Sequence, residues 1–508
     1  MSLKIVGLSL LTLLALTAPV SAQTASATIT GTITDPSGAV MANAPVTVRN
    51  LATGVVSTGA SSTTGNYTVS QLPVGDYELT VESSGFKKYI HSNFHLAAAQ
   101  TVREDITLEV GQTTESVTVT AETSLLKTES TEISQNVTLS QLNNLPILVV
   151  GATNSGFRDP FASTRLVPGI RYSNSAATGG NAVTSMVING TPSNTYQTRL
   201  DGMTMNPTAP RTAGATMQTQ PSVDAIEEVA IQTSNFAAEF GAAGGAMINM
   251  VTKSGTNTFH GGAYDYGNNE FFNAHAPYTG LRAKVRQTDY GITLGGPLWV
   301  PKIYNGKNRT FFFFSFEQFR QANLFNTPAT VPTQSYRDGN FANLINVENR
   351  LVTTTAGPVT DPLGNQIRSG TIFDPASQAI AANGAAYRTA FVNNQIPVAR
   401  YDPIAAKVLP LVPSPQGVNF NAGLLANNYI NPTDSTRHSN IPSIKIDQNM
   451  GAKGRLSMYF QETNTLVNRS PTGLSPLPDL LSSGFSSYSS GSTARVNYDY
   501  TVTSRLLL

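Results

Sequence analysis

The residues best suited to chemistry are few, and their spacing argues against catalysis. Histidine occurs only at His91, His95, His260, His275 and His438, and cysteine is absent. His91 and His95 have the four-residue spacing at which two imidazoles can hold zinc, yet the run His91-Ser92-Asn93-Phe94-His95 lacks the glutamate that activates a metal-bound water. It also falls among strand-forming residues, so a surface strand or loop is expected there. Gly241-Ala242-Ala243-Gly244-Gly245 lacks the lysine and hydroxyl residue of a phosphate cradle, and close backbone approach explains those glycines better. Without cysteine, thiolate chemistry and disulfides are excluded. No acid–base pair, nucleophile or metal constellation emerges, so neither an enzyme nor a cofactor is expected. The run Glu115-Ser116-Val117-Thr118-Val119-Thr120-Ala121 offers another kind of chemistry, backbone pairing. It reads either as the last strand or linker of the preceding unit, or as a strand without a partner, offered to another protein's edge.

The elements that must position these residues are mostly strands. The chain has 508 residues, with Lys+Arg 32 against Asp+Glu 31, so no electrostatic field argues for nucleic acid. Charged residues make up 12%, against about 25% in an ordinary soluble domain. Lys4, the apolar run Ile5–Leu16 and the small residues Val20-Ser21-Ala22 read as a secretory signal over 1–22, cleaved between Ala22 and Gln23. Beyond it no run approaches the ~18–20 apolar residues of a membrane helix. If the mature chain crosses a membrane, a closed β-barrel must do it.

Residues 23–110 alternate in short strands broken by turns. Ile29, Gly31 and Ile33 precede Asp35-Pro36-Ser37-Gly38, and Val46 and Val48 precede Tyr67, Val69, Tyr77, Leu79 and Val81. Gly31-Thr32-Ile33-Thr34-Asp35, Ala44-Pro45-Val46-Thr47-Val48, Gly65-Asn66-Tyr67, Leu72-Pro73-Val74-Gly75-Asp76-Tyr77 and Gly85-Phe86 resemble the carboxypeptidase regulatory-like family, a prealbumin-like β-sandwich within the carbohydrate-binding-like folds. Tyr67 and Tyr77 could stack on a sugar, but their register with apolar neighbours predicts core positions.

The linker 111–124 holds the alternating run, in which Glu115, Val117, Thr118, Val119 and Thr120 resemble a TonB box. Over 125–255 the pattern is mixed. Thr138 with Gln141 forms a capping box before a short helix ended by Pro146. Leu166-Val167-Pro168-Gly169-Ile170 reads as a turn, and Asn189-Gly190 and Asp201-Gly202 signal hairpins. Pro221–Val229 reads as one helical turn before the strand Val229-Ala230-Ile231. With Ile226-Glu227-Glu228-Val229 and Ile248–Gly255, these stretches resemble the α+β plug of TonB-dependent outer-membrane receptors.

Residues 256–508 alternate most strongly. Tyr290, Ile292 and Leu294 oppose Gly291, Thr293 and Gly295; Ile444 and Ile446 oppose Ser443, Lys445 and Asp447; Val496, Tyr498 and Tyr500 oppose Arg495, Asn497 and Asp499. Six strands are predicted, near 259–267, 287–295, 310–319, 442–448, 455–462 and 492–502, with a long outer loop over about 321–440. Tyr264, Tyr266, Trp299, Phe316, Phe319, Tyr498 and Tyr500 are expected to form interfacial girdles. Gly291-Ile292-Thr293-Leu294-Gly295-Gly296-Pro297, Lys307–Phe314 with Glu317, Phe373-Asp374-Pro375 and Lys445-Ile446-Asp447-Gln448 resemble the Oar-like group of TonB-dependent receptors. Barrels of such transporters have 22 strands; at ~10 residues each these need ~220 residues before any loop. The predicted strands supply far fewer, so the sequence is expected to be C-terminally incomplete.

The fold expectation is therefore mainly β: a sandwich, a small α+β plug, and an incomplete transmembrane antiparallel barrel. The resemblance implies an outer-membrane receptor in a Gram-negative-type envelope, importing a surface ligand when a TonB-type energy-transducing protein pulls the plug. Its partners would be that protein, outer-membrane lipid and an unidentified ligand, oligosaccharide among the candidates. The alternatives are a barrel-anchored carbohydrate-binding or adhesion protein, and a barrel used for export.

Overall fold

The computed structural model describes residues 26–112, 115–119, 132–145, 158, 160–172, 186–192, 195–205, 219, 221–236, 244–275, 282, 284–348, 351–354, 357–416, 426–451, 454–469, 484–503 and 506–507. The signal segment with Ala22 and Gln23, and also Thr120, Pro146 and Gly241–Ala243, lie outside them.

Strict alternation makes the first unit a sandwich. Strand β1 (Ala27–Thr34) buries every second residue. One sheet runs β4 (Asn66–Leu72), β1 and β7 (Thr101–Arg103), with β8 (Ile106–Thr107) parallel to the end of β1. The facing sheet runs β3 (Val56–Ala60), β2 (Pro45–Asn50), β5 (Gly75–Val81), β6 (Lys88–Leu96) and β9 (Ser116–Val119). Ile29, Ile33, Val46, Val48, Leu79 and Val81 fill the space between them. Tyr67 and Tyr77 lie in this core as predicted, each hydroxyl donating to a carbonyl: Tyr67 to Glu104 at 2.7 Å and Tyr77 to Pro73 at 2.8 Å. Burial raises both phenols, that of Tyr77 to about 12, and leaves neither ring free to stack on a sugar.

Strand β9 changes one expectation. Ser116–Val119 pairs parallel with Lys88–His91, so the facing sheet continues past Val110 and the run has a partner on one side. The cause is the edge of β6, whose backbone groups need pairing once β5 has taken the other side.

The second unit is a five-stranded sheet in the order β10 (Ile133–Thr138), β15 (Ile226–Ser234), β16 (Ala246–Thr252), β13 (Tyr196–Leu200), β14 (Met203–Thr204). Helix α1 (Leu139–Asn144) starts at the predicted capping box, with Gln141 N donating to Thr138 Oγ1 at 3.3 Å and Thr138 N to Gln141 Oε1 at 3.0 Å. Asp201 and Gly202, at φ 44° and 89°, turn β13 directly into β14. Asn189-Gly190 also turns in the left-handed region, but makes no hairpin: the preceding strand β12 (Met186–Ile188) pairs back with β11 (Ile170–Tyr172). The strand predicted from Val229 begins at Ile226, straight after the short helical turn Val223–Ala225. Gly245 fits a close approach: a Cβ there would lie 2.7 Å from Thr191 Oγ1.

The third unit is an antiparallel meander in sequence order: β17 (His260–Asn269), β18 (Lys284–Pro297), β21 (Thr310–Ala329), β26 (Tyr429–Asn449), β27 (Gly454–Arg469), β28 (Phe485–Thr503) and β29 (Leu506–Leu507). A small hairpin, β19 (Trp299–Val300) with β20 (Tyr304–Asn305), joins β18 to β21. The six predicted strands are present, and all but the ten-residue β17 are longer than ~9–11 residues: β21 has 20 and β26 has 21. Their extensions narrow the long connection to 330–428. That connection carries structure of its own, including α2 (Gln334–Arg337), α3 (Ala342–Glu348), β22 (Thr353–Thr354) with β23 (Gly357–Pro358), β24 (Ala379–Ile380) with β25 (Ala386–Tyr387), and α4 (Pro403–Val408). Buried Asn394 ties it together, donating to the carbonyls of Phe341 at 2.8 Å and Gly370 at 3.0 Å.

The strand ends that flank 298–309 and 450–453 lie at one end of the meander; those that flank 270–283, 330–428 and 470–484 lie at the other. The sandwich docks at the first end, where Asn257, just before β17, donates from its backbone to the Ala52 carbonyl at 3.0 Å.

Candidate functional site

The two faces of the meander are inverted relative to a soluble sheet. Ile292, Leu294, Met458, Phe460, Val496 and Tyr498 stand exposed, Ile292 by 50% and Val496 by 69%. On the opposite parity Asp289, Glu317, Lys445 and Gln461 are at most 4% exposed. Exposed apolar and buried polar faces in period two place hydrocarbon outside and a polar lumen inside. Phe311 and Phe313 point inward and are buried, and Phe319 joins them, so Phe319 is not part of a girdle. Tyr264 and Tyr266 face inward too, their strand positions opposing Gly291 and Asp289. Phe316 lies within β21, opposite Ile292 and Pro442, away from the strand end. Trp299 and Tyr498 are exposed as expected.

Against the polar face lies the second unit, held at two charged clusters. In the first, Asp201 sits at the β13–β14 turn and accepts from Thr252 N at 2.8 Å and Thr252 Oγ1 at 2.6 Å. Lys445, from β26, stands 3.9 Å from that carboxylate and donates to the Thr252 carbonyl at 3.0 Å. Arg495, from β28, pairs with the same carboxylate and donates to the Leu200 carbonyl at 2.8 Å. Burial works against the Asp201 charge, but Lys445 and Arg495 outweigh it and hold the carboxyl below its usual range.

In the second cluster, buried Arg158 lies between the rings of Tyr264 and Tyr266, 4.5 and 4.2 Å from their centres. It pairs with Asp224 of the second unit and lies 3.7 Å from Asp289 of the wall. Nearby, Glu317 accepts from Ser222 at 2.5 Å and from Tyr264 at 2.9 Å.

A third contact joins sandwich to second unit. Glu228 of β15 accepts from Ala98 N at 2.8 Å, and Asn136 of β10 donates to the Ala98 carbonyl at 3.3 Å. Burial raises the Glu228 carboxyl above its ordinary range. Between sandwich, second unit and wall lies a cavity of about 730 Å³, lined by Tyr77 and His95, by Asp201 and Thr252, and by Lys445 and Arg455.

The sequence-predicted site residues lie elsewhere. Glu115, exposed, is 3.9 Å from Lys87 Nζ, and its carbonyl accepts from Lys88 N at 2.9 Å. Ser116 and Thr118 are exposed, whereas Val117 and Val119 are half-buried. His91 and His95 share strand β6 but not a ligand: His91 is buried beside Glu104 at 3.1 Å, and exposed His95 bonds Asp76 at 2.8 Å. His91 is thus a core residue, not the surface residue expected. The Asp201 hub was missed, although its parts were visible: an Asp-Gly hairpin tip, and the cations Lys445 and Arg495 on the polar parity of β26 and β28.

Comparison with known proteins accords with this geometry. The family described as outer membrane beta barrel domain matches residues 251–508. The chain belongs to the outer membrane beta barrel family. Its strands therefore place it in the outer membrane. The carboxypeptidase regulatory-like domain family matches residues 28–109. Over 290 residues this barrel protein is 28% identical to the TonB-dependent transporter Oar of Myxococcus xanthus, covering 55% of the chain and 26% of that relative. It thus spans about a quarter of the length of that curated relative. Among solved structures it is similar to the outer membrane transporter YddB of Escherichia coli, at TM-score 0.38 and 10% identity, covering 73% of this chain and 37% of that one. It is also similar to a mutant of the ferric enterobactin receptor PfeA of Pseudomonas aeruginosa, at TM-score 0.30 and 12% identity, covering 72% of this chain and 46% of that one.

Proposed function

We propose that the chain belongs to an energised importer, in which residues 125–255 form a movable plug and 330–428 face the exterior. The observation that carries this reading is the chemistry of the plug–wall contact. The plug keeps its own apolar core, built on Ile188, Leu200, Ile226, Val229, Ile231 and Ile248, and among the described residues of that cluster Tyr459 alone comes from the wall. The described contacts to the wall are otherwise dominated by ion pairs and hydrogen bonds at Asp201, Arg158 and Ser222. Polar groups released into a wet lumen are resolvated, so such a contact can open and close where an apolar weld could not.

Orientation supports the same reading. Barrels of this kind turn tightly on the periplasmic side and carry long loops outside. The sandwich and β9 lie with the short turns, where a periplasmic energy-transducing protein would reach them. The second reading, a passive anchor for a carbohydrate-binding sandwich, is disfavoured by the buried Tyr67 and Tyr77.

The test supplies cells with a mixture of labelled oligosaccharides and iron chelates, and follows periplasmic contents by mass spectrometry. Import predicts a compound that accumulates with the intact chain and fails to accumulate after deletion of 111–121 or addition of a protonophore. A compound that binds both kinds of cell equally and never enters would establish the anchor instead.

A further inference from the structure

The placement of β9 goes beyond that reading while resting on it. Ser116–Val119 is seated on β6, residue for residue: Lys88 opposite Ser116, Tyr89 opposite Val117, Ile90 opposite Thr118 and His91 opposite Val119. The seat is made of backbone and a little charge. Lys88 N donates to the Glu115 carbonyl at 2.9 Å, and Lys87 lies 3.9 Å from the Glu115 carboxylate. Neither Val117 nor Val119 belongs to the sandwich core, so lifting β9 uncovers little apolar surface. Main-chain hydrogen bonds are sequence-blind, and another extended strand can supply them one for one.

Beyond Val119 the chain runs to β10, which lies at the edge of the plug sheet and is paired to β15. Asn136 on that strand also holds the sandwich at Ala98. A load on β9 therefore reaches the plug at an edge strand, the part of a sheet most easily unzipped, and strains the sandwich–plug contact on the way.

We propose that the sandwich stores Ser116–Val119 on the β6 edge, and that an extended strand of the energy-transducing protein displaces β6 as its partner. Capture is then a strand exchange, and the sandwich sets how readily it happens. The partner is a β-strand presented in the periplasm, recognised by backbone pairing with Val117 and Val119 on the side now turned toward the sandwich.

The full chain in detergent micelles, with the periplasmic domain of a TonB-type protein as probe, provides the experiment. The chain has no cysteine, so Ile90→Cys with Thr118→Cys introduces one defined pair across the register. Oxidation should form the disulfide and weaken probe binding by about tenfold or more, because the competent state is removed; reduction should restore it. Lys88→Pro removes the N–H that holds Glu115, while β5 pairing begins only at Tyr89, and should tighten binding severalfold. Failure of the disulfide to form, or equal affinity in the oxidised and reduced states, overturns the stored strand. Val117→Pro separates the two claims. If it leaves probe binding unchanged, it is the reading of this strand as the capture point that fails, whatever the disulfide does.

Discussion

Lys445, on barrel strand β26, reaches past the Asp201 carboxylate at 3.9 Å to the backbone carbonyl of Thr252 at 3.0 Å. One acidic side chain at a hairpin tip of the second unit, the proposed plug, thus answers two buried cations of the wall, since Arg495 closes on it from β28. Removing the carboxylate takes from Arg495 its ion-pair partner and leaves Lys445 with Asp447 alone, so the wall carries much of the cost.

Asp201→Asn should destabilise the plug–wall contact by about 3–5 kcal/mol, the range for breaking a buried pair from one side. The expected result is faster proteolysis of the plug in detergent and a lower unfolding temperature. Replacing Asp201, Lys445 and Arg495 together by Leu, Met and Met should recover much of the loss.

The same group predicts acid sensitivity. Its folded value lies below 3.8, so the unfolded chain protonates first as pH falls. Its stabilising contribution is complete above the unfolded value and is lost as pH drops through the folded one. Proteolysis of the plug should therefore be flat near neutrality and accelerate below about pH 4, and Asp201→Asn should flatten that rise.

Glu228 behaves in the opposite sense. Burial raises its carboxyl, so the charge works against docking at neutral pH, and protonation as pH falls through the raised value favours the docked form. Glu228→Gln keeps an acceptor for Ala98 N and should leave docking unchanged or tighter. Glu228→Ala should loosen it by about 1–3 kcal/mol, an orphaned buried donor's cost. Hydrogen exchange at the Ala98 amide distinguishes the two.

Gly255, between the second unit's last strand and β17, has no room for a side chain: a Cβ would lie 2.6 Å from the Gly296 carbonyl oxygen and 2.9 Å from Phe312 N. Gly255→Ala should therefore block folding into lipid vesicles, monitored by protease protection. Gly267→Ala meets nothing within 4 Å and should fold normally.

Much of this architecture was legible because period-two alternation records which face meets what. The six long strands, the core tyrosines, the capping box at Thr138 and the Asp201-Gly202 hairpin all follow from local spacing. Three kinds of information were not local. Whether Tyr264 and Tyr266 turn toward lipid or toward Arg158 depends on which parity the plug occupies, and both parities carry aromatics. Whether the run at 115–121 closes the preceding unit or stands unpartnered could not be read locally, because its mate β6 is separated from it by β7 and β8. The Asp201 hub joins residues nearly 300 positions apart, Arg495 and Asp201 at |i−j| = 294, and no spacing rule spans that distance.

The central claim is that the apolar parity of the meander faces hydrocarbon. Because the chain has no cysteine, single Cys substitutions from Thr493 to Asp499 can each carry a spin label in lipid vesicles. Collision with dissolved oxygen should alternate along β28, high at 494, 496 and 498 and low at 493, 495 and 497. A flat profile, or one with the phases exchanged, would show that Val496 and its neighbours do not meet lipid, and the barrel account would fail.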